Sequence, residues 1–311
     1  MNIVFLDEYT LGGTDLTAIR QLGNYIGYAS TRPEQVIERS KDAEVIIVNK
    51  VIIGRKEMVQ LPKLRLICVA ATGVNNIDLD AAKGYNISVR NAVGYSTHTV
   101  AEATLGSILA LQRQVIYYDR YVKSGAYSAS GEWVNFDRPT HRLWGKNWGV
   151  IGMGNIGREV ARLATAFGCD VAYASTSGAI RKEEYEQKDL DSLLAWADVI
   201  SVHCPLNEHT KGLIGERELA LMKPSSLIVN VARGGIVTEE AVAHALDNGV
   251  IAGAAFDVYP TEPMPADSPL LHIADKDKLL LSPHNAWSAV ESIETLVECI
   301  ATNIKNYQQG N

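Results

Sequence analysis

Three ionisable residues in the second half of the chain each follow an apolar run that reads as a strand, the place where open α/β sheets bind their ligands. Arg233 sits in Asn230-Val231-Ala232-Arg233-Gly234-Gly235, Glu262 in Asp257-Val258-Tyr259-Pro260-Thr261-Glu262-Pro263, and His284 in Leu279-Leu280-Leu281-Ser282-Pro283-His284-Asn285-Ala286-Trp287. Alone, each has an ordinary explanation: a surface ion-pair partner, a solvated loop acid, a structural histidine. Together they supply what reduction of a ketone beside a carboxylate requires. The guanidinium holds the carboxylate bidentately, the imidazole gives or takes the proton on oxygen, and the glutamate orients the imidazole and favours its charged form.

Such a reaction also needs a hydride donor, and the chain carries a place for one. Gly152-Met153-Gly154-Asn155-Ile156-Gly157 follows Asn147-Trp148-Gly149-Val150-Ile151, which reads as a short buried strand. After it, Val160, Ala161, Leu163, Ala164 and Phe167 recur at helical spacing. A strand, glycines at GxGxxG spacing and a helix form a dinucleotide site. The first glycine allows the turn, the second admits a pyrophosphate against the backbone, and the third lets helix pack on strand. A methyltransferase using the same loop for S-adenosylmethionine would leave Arg233, Glu262 and His284 without a task.

Those residues must be held by a sheet. Strand-like runs at Ile3–Leu6, Val45–Val48, Arg65–Ala70 and Ile87–Val89 alternate with helical ones at Thr14–Tyr25, Pro33–Lys41 and Lys56–Leu61. A long helix is expected over Thr99–Lys123, opened by Thr99-Val100-Ala101-Glu102 as a capping box, and then a polar loop to Gly145. From Trp148 onward about six strands alternate with helices, the number in a full Rossmann sheet. A final helix, Val290–Tyr307, crosses back to the first unit. Repeated βα units imply mainly parallel sheets with helices on both faces.

The 311 residues are 47% hydrophobic and 21% charged with a net charge of -7, ordinary for a soluble globular protein. No basic field favours nucleic acid or an anionic membrane, and no apolar run reaches the roughly 18 residues of a membrane span. Cys68, Cys169, Cys204 and Cys299 are far apart and without zinc spacing, so no metal site is expected. Their placement in apolar runs reads as buried free thiols in a reducing cytoplasm.

Over essentially its full length the chain resembles the D-isomer-specific 2-hydroxyacid dehydrogenases, and within them the glycerate dehydrogenases, or hydroxypyruvate reductases. The matching pieces are Ala71-Thr72-Gly73-Val74-Asn75-Asn76-Ile77-Asp78, Thr99 to Glu102, the glycine loop, His203-Cys204-Pro205-Leu206, Asn230 to Gly235, Asp257 to Pro263 and Pro283-His284. The resemblance implies two Rossmann-like domains. One is a flavodoxin-like outer substrate domain of residues 1–98 and 288–311, the other a central doubly wound dinucleotide-binding domain of residues 99–287. It implies that Arg233 binds the substrate carboxylate, that His284 transfers the proton and that Glu262 pairs with it. Ala71, Thr72 and Gly73 would complete the carboxylate cradle, and Trp287 would border the substrate. On the cofactor it places Thr72, Thr99, Gly152, Gly154, Asn155, Ile156 and Gly157. Ser175, Thr176, Cys204 and Pro205 fall on the adenosine side, and Val231, Ala232 and Asp257 at the nicotinamide end. The expected reaction is interconversion of a short 2-keto acid, hydroxypyruvate or glyoxylate, with its D-2-hydroxy acid.

One departure concerns the cofactor. An NAD site usually carries Asp or Glu at the tip of the second strand to bond the ribose hydroxyls, and here that tip reads Tyr173-Ala174-Ser175-Thr176-Ser177. Nothing there repels a 2′-phosphate, and Arg181 and Lys182 are near enough in sequence to neutralise one, so both NAD and NADP are admitted. The resemblance also implies a homodimer, with the helix from Thr99 and the loop around Trp133 and Trp144 as contact. The alternative of another class is a cofactor-sensing, corepressor-like binding protein of the same fold, against which the complete Arg, Glu and His set speaks.

Overall fold

Runs such as Val45-Ile46-Ile47-Val48 and Leu227-Ile228-Val229-Asn230 are buried at every position, the pattern of strands covered on both faces. A computed structural model describes residues 1–178 and 182–310. Its contacts divide the chain into two units, Thr97–Trp287 and Met1–Ser96 with the segment from Ser288.

The first unit holds five strands, β1 Asn2–Phe5, β2 Asn24–Gly27, β3 Val45–Val48, β4 Leu66–Val69 and β5 Ser88–Asn91. All pair in parallel in the order β2-β1-β3-β4-β5, the flavodoxin order. The apolar spacing predicts a helix from Thr14 to Tyr25; the structure has a helix only at Thr17–Arg20, and β2 follows. β2 is an edge strand with mostly exposed side chains, so no apolar period marks it. Gly23 lets the chain turn in beside β1, since a Cβ there would stand 2.3 Å from the Met1 carbonyl oxygen. The C-terminal helix, Val290–Gln308, belongs to this unit and buries Ile293, Leu296, Val297, Ile300 and Ile304, the spacing of one helical face. Its Asn303 Nδ2 donates to the Asn91 carbonyl at 3.1 Å.

The second unit holds β6 Asn147–Ile151, β7 Asp170–Ala174, β8 Glu186–Gln187, β9 Val199–Val202, β10 Leu227–Asn230, β11 Gly253–Phe256 and β12 Leu279–Leu281. The order is β12-β11-β10-β9-β6-β7-β8, all parallel. Chain direction through the sheet reverses between β6 and β9, the switch point at which doubly wound sheets bind dinucleotides. The count is seven described strands rather than six, because β8 is two exposed residues with no apolar signal. One face is covered by a cluster including Leu193, Leu194, Ile228 and Phe256, the other by Ala101, Ile108, Val160 and Ala164 against Trp148 and Val229.

The long helix expected over Thr99–Lys123 is two helices, Thr97–Gln112 and Val115–Lys123. Gln114 between them has φ 52, and its side-chain amide donates to the Leu111 carbonyl at 2.9 Å, satisfying a carbonyl at the end of the first helix. The first helix opens at Thr97, so Thr99 and Glu102 lie inside it and form no capping box. A further short helix, Ala126–Ser130, occupies part of the expected loop. Among the described residues no helix is long and apolar enough to cross a membrane.

Candidate active site and cofactor cradle

At the switch point the glycine loop divides its work. Gly152 has φ 96, and a Cβ there would stand 2.6 Å from the Cys204 amide nitrogen, so only glycine allows β6 to end against β9. A Cβ at Gly157 would stand 2.2 Å from the Gly152 carbonyl oxygen, so its hydrogen lets the helix Asn155–Ala166 lie on the strand. Gly154 differs: its added Cβ would meet nothing within 4 Å. The first amide bonded back into this helix is that of Arg158, to the Gly154 carbonyl at 3.0 Å, so those of Asn155, Ile156 and Gly157 have no partner within the helix. Open space beside amides at the positive end of a twelve-residue helix fits a pyrophosphate.

Arg233, Glu262 and His284 lie in the loops that leave three neighbouring strands, β10, β11 and β12. Parallel pairing carries Asn230 beside Phe256 and Phe256 beside Leu281, so segments some 25 residues apart emerge side by side. Buried Asn230 shapes the first: its Oδ1 accepts from the Ala232 amide at 3.1 Å and its Nδ2 donates to the Arg233 carbonyl at 3.0 Å. Arg233 is partly exposed, and its Nη1 donates to the Ala232 carbonyl at 2.7 Å. The next residue presses this turn onto the second loop, since a Cβ on Gly234 would lie 1.9 Å from the Tyr259 carbonyl carbon.

In the second loop, Glu262 Oε1 accepts from the Tyr259 amide at 3.1 Å, and Oε2 lies 2.6 Å from His284 Nδ1. The two side chains are 31% and 21% exposed, enough to reach a ligand and too little to be fully solvated. Tyr259 also binds the third loop: its hydroxyl donates to the Ser282 carbonyl at 2.9 Å, and burial pushes it up to about 12. Asp257, itself buried, accepts from Ser282 Oγ at 2.6 Å, from the Asn285 amide at 3.0 Å and from the Ala286 amide at 3.0 Å. Trp287 Nε1 donates to the His284 carbonyl at 2.9 Å.

Other histidines offer a contrast. His98 also meets a glutamate, Glu159, but is 78% exposed and shares that carboxylate with Arg162. Both ring nitrogens of His203 are buried with no partner among the described residues, and desolvation pushes the imidazole down to about 3, so it stays neutral at neutral pH. His284 alone of these three is half-sheltered against a carboxylate beside the sheet's C-terminal edge.

Within the same unit a cavity of about 420 Å³ is lined by Thr99, Val231, Asp257, Ser282 and Asn285 among others. Three of the positions expected on the cofactor, Thr99, Val231 and Asp257, thus share one cavity. Cys204 is buried beside Gly152, its thiol bonded by Thr176 and pushed up to about 11 by burial; Pro205 next to it is exposed. Ala71, Thr72 and Gly73 belong to the first unit, where they follow β4 and the Thr72 carbonyl accepts from Asn91 Nδ2 at 2.6 Å. Among the described residues no cluster of His, Cys, Asp and Glu is placed to hold a metal ion.

Comparison with known proteins decides the family. The family described as D-isomer specific 2-hydroxyacid dehydrogenase, NAD binding domain, matches residues 105–286. The chain belongs to this family. It is therefore an oxidoreductase of D-2-hydroxy acids, acting on their CH–OH group with a nicotinamide dinucleotide. A glycerate dehydrogenase of Methylorubrum extorquens is 36% identical, over 99% of this chain and 96% of its own length. A hydroxypyruvate reductase of Blautia hydrogenotrophica is 34% identical over 100% and 98%. A crystal structure of D-lactate dehydrogenase from Aquifex aeolicus, complexed with NAD and lactic acid, has a TM-score of 0.85 and 27% identity, covering 100% of this chain and 96% of that one.

At the tip of β7, Ala174 is buried and its carbonyl accepts from the Gly152 amide at 3.0 Å. The Ser175 and Ser177 hydroxyls stand 3.4 Å apart at the strand tip. Arg158, on the glycine-loop helix, makes a two-pronged contact with Glu183 at 3.0 and 2.7 Å. Lys182 is exposed, and Arg181 lies outside the described residues. Sequence reasoning missed Asn230 and Tyr259, which touch the loops of the three candidates; the only trace was a polar residue ending an apolar strand and an aromatic between Asp257 and Glu262.

The glycines give a paired test. Gly157→Ala should prevent the second unit from folding, while Gly154→Ala should leave the thermal midpoint unchanged and weaken dinucleotide binding about tenfold or more in a fluorescence titration. Unchanged binding by Gly154→Ala would contradict the cradle.

Proposed function

We propose that this dehydrogenase interconverts a short 2-keto acid, hydroxypyruvate or glyoxylate, with its D-2-hydroxy acid. The observation that carries the reading is the His284–Glu262 contact at 2.6 Å, one loop away from Arg233. The names of the relatives support the substrate class, glycerate dehydrogenase and hydroxypyruvate reductase being two directions of one reaction.

In the reductive direction Arg233 holds the substrate carboxylate through paired charge-assisted bonds, which presents the adjacent ketone to the histidine. A reduced nicotinamide, when bound, supplies hydride to the carbonyl carbon. His284, with Nδ1 turned to Glu262, donates a proton from Nε2 to the oxygen, so that hydride and proton complete the alcohol. Glu262 stabilises the imidazolium before transfer, and its second oxygen, fixed by the Tyr259 amide, keeps it from swinging away. In the oxidative direction the same imidazole, neutral, takes the hydroxyl proton. The strand tip carries hydroxyls in place of a carboxylate, so both NADH and NADPH are accepted.

A panel of hydroxypyruvate, glyoxylate, pyruvate and phenylpyruvate, run with each cofactor, tests these statements. Hydroxypyruvate or glyoxylate should give the highest kcat/KM, with the two cofactors within about tenfold of each other. His284→Ala should lower kcat about a hundredfold or more. Arg233→Ala should cost about a hundredfold in kcat/KM for the keto acid with dinucleotide binding kept. Full activity in either variant would remove that residue from its role, and no turnover of any 2-keto acid would sink the substrate reading.

The enzyme is further proposed to be a homodimer. Trp133 and Phe136 are 92% and 85% exposed, and Val115 and Ile116 are exposed as well, bare apolar side chains that a second copy would cover. Light scattering should give twice the 33.9 kDa chain mass; a monomer at micromolar concentration would contradict it.

A further inference from the structure

His284 has φ 54, in the left-handed region that non-glycine residues rarely enter. Such a backbone persists only if its surroundings hold it. The peptide group that joins His284 to Asn285 is held at both ends. Its N–H, on Asn285, donates to Asp257 Oδ1 at 3.0 Å, and its oxygen, on His284, accepts from Trp287 Nε1 at 2.9 Å. Two anchors on opposite edges of one peptide plane fix its rotation, and with it the direction in which the His284 side chain leaves the backbone. The ring then meets Glu262 at 2.6 Å.

We propose that Trp287 is a positioning residue for His284 alongside Asp257, acting through its indole N–H on the histidine's own carbonyl, rather than primarily a wall of the substrate pocket. Asp257 holds the N–H end of that plane, and the indole holds its oxygen. The indole does so from only three residues away, and it is a stiff ring with one donor and two side-chain torsions. The inference rests on His284 being the proton donor.

Removing the N–H while keeping the ring tests it. Trp287→Phe should lower kcat about tenfold with the keto-acid KM within about twofold, because the acid is displaced while the carboxylate cradle is not. Trp287→benzothienylalanine, which keeps the bicyclic shape and replaces N–H by sulfur, should show the same loss. In both variants the low-field proton resonance of the His284–Glu262 contact should broaden or disappear, with the thermal midpoint retained. A changed KM or altered preference among keto acids at constant kcat would overturn the proposal in favour of a pocket wall. So would wild-type kcat in the benzothienyl variant. Absence of keto-acid turnover in the wild type would instead overturn the reading of His284 on which this one rests.

Discussion

A carboxylate buried at the end of a strand must be met by donors or its burial is costly. At Asp257 the donors are the Ser282 hydroxyl and the amides of Asn285 and Ala286, all from the loop that carries His284. Hydrogen bonds to a charged group contribute about 1.5–3 kcal/mol each, so this requirement fixes a segment that would otherwise be a free connection into the next unit. The candidate acid is thereby placed by a residue that carries out no chemistry. Satisfying Asp257 and ordering the His284 loop are one event.

Around that anchor the other parts follow from the sheet. Because β10, β11 and β12 run parallel and in register, their C-terminal ends deliver the Arg233, Glu262 and His284 loops to one edge. Tyr259 joins all three: its backbone packs on Gly234, its amide holds Glu262 and its hydroxyl holds the Ser282 carbonyl. The same edge at β6 ends in Gly152, whose lack of a side chain allows the close approach to Cys204. The candidate dinucleotide cradle and the candidate acid are thus served by one constraint, the common polarity of the strands.

Much of this was legible in the residues. The apolar runs of β3, β4, β9 and β10 announce themselves because both faces are buried, and the GxGxxG spacing and the Arg, Glu and His positions point to reaction type. What escaped did so for physical reasons. β2 is an edge strand whose side chains face solvent, and β8 is too short for any period. The break at Gln114 depends on a side-chain bond back to Leu111, which helical spacing does not encode. At the site, the resemblance assigns Trp287 to the substrate border and Asp257 to the cofactor, but no sequence pattern reveals that the Trp287 N–H meets the His284 carbonyl or that Asp257 clamps the histidine loop. Hydrogen bonds that reach across loops leave little periodic trace.

The central claim is that His284 and Glu262 act as one proton-donating unit. A double-mutant cycle in kcat with Glu262→Gln, His284→Ala and the combined variant tests it most directly. Residues of one unit are strongly non-additive: once the imidazole is gone the carboxylate has nothing to orient, so the double variant should be no slower than His284→Ala. Losses that multiply, with Glu262→Gln costing as much in the absence of His284 as in its presence, would contradict the account.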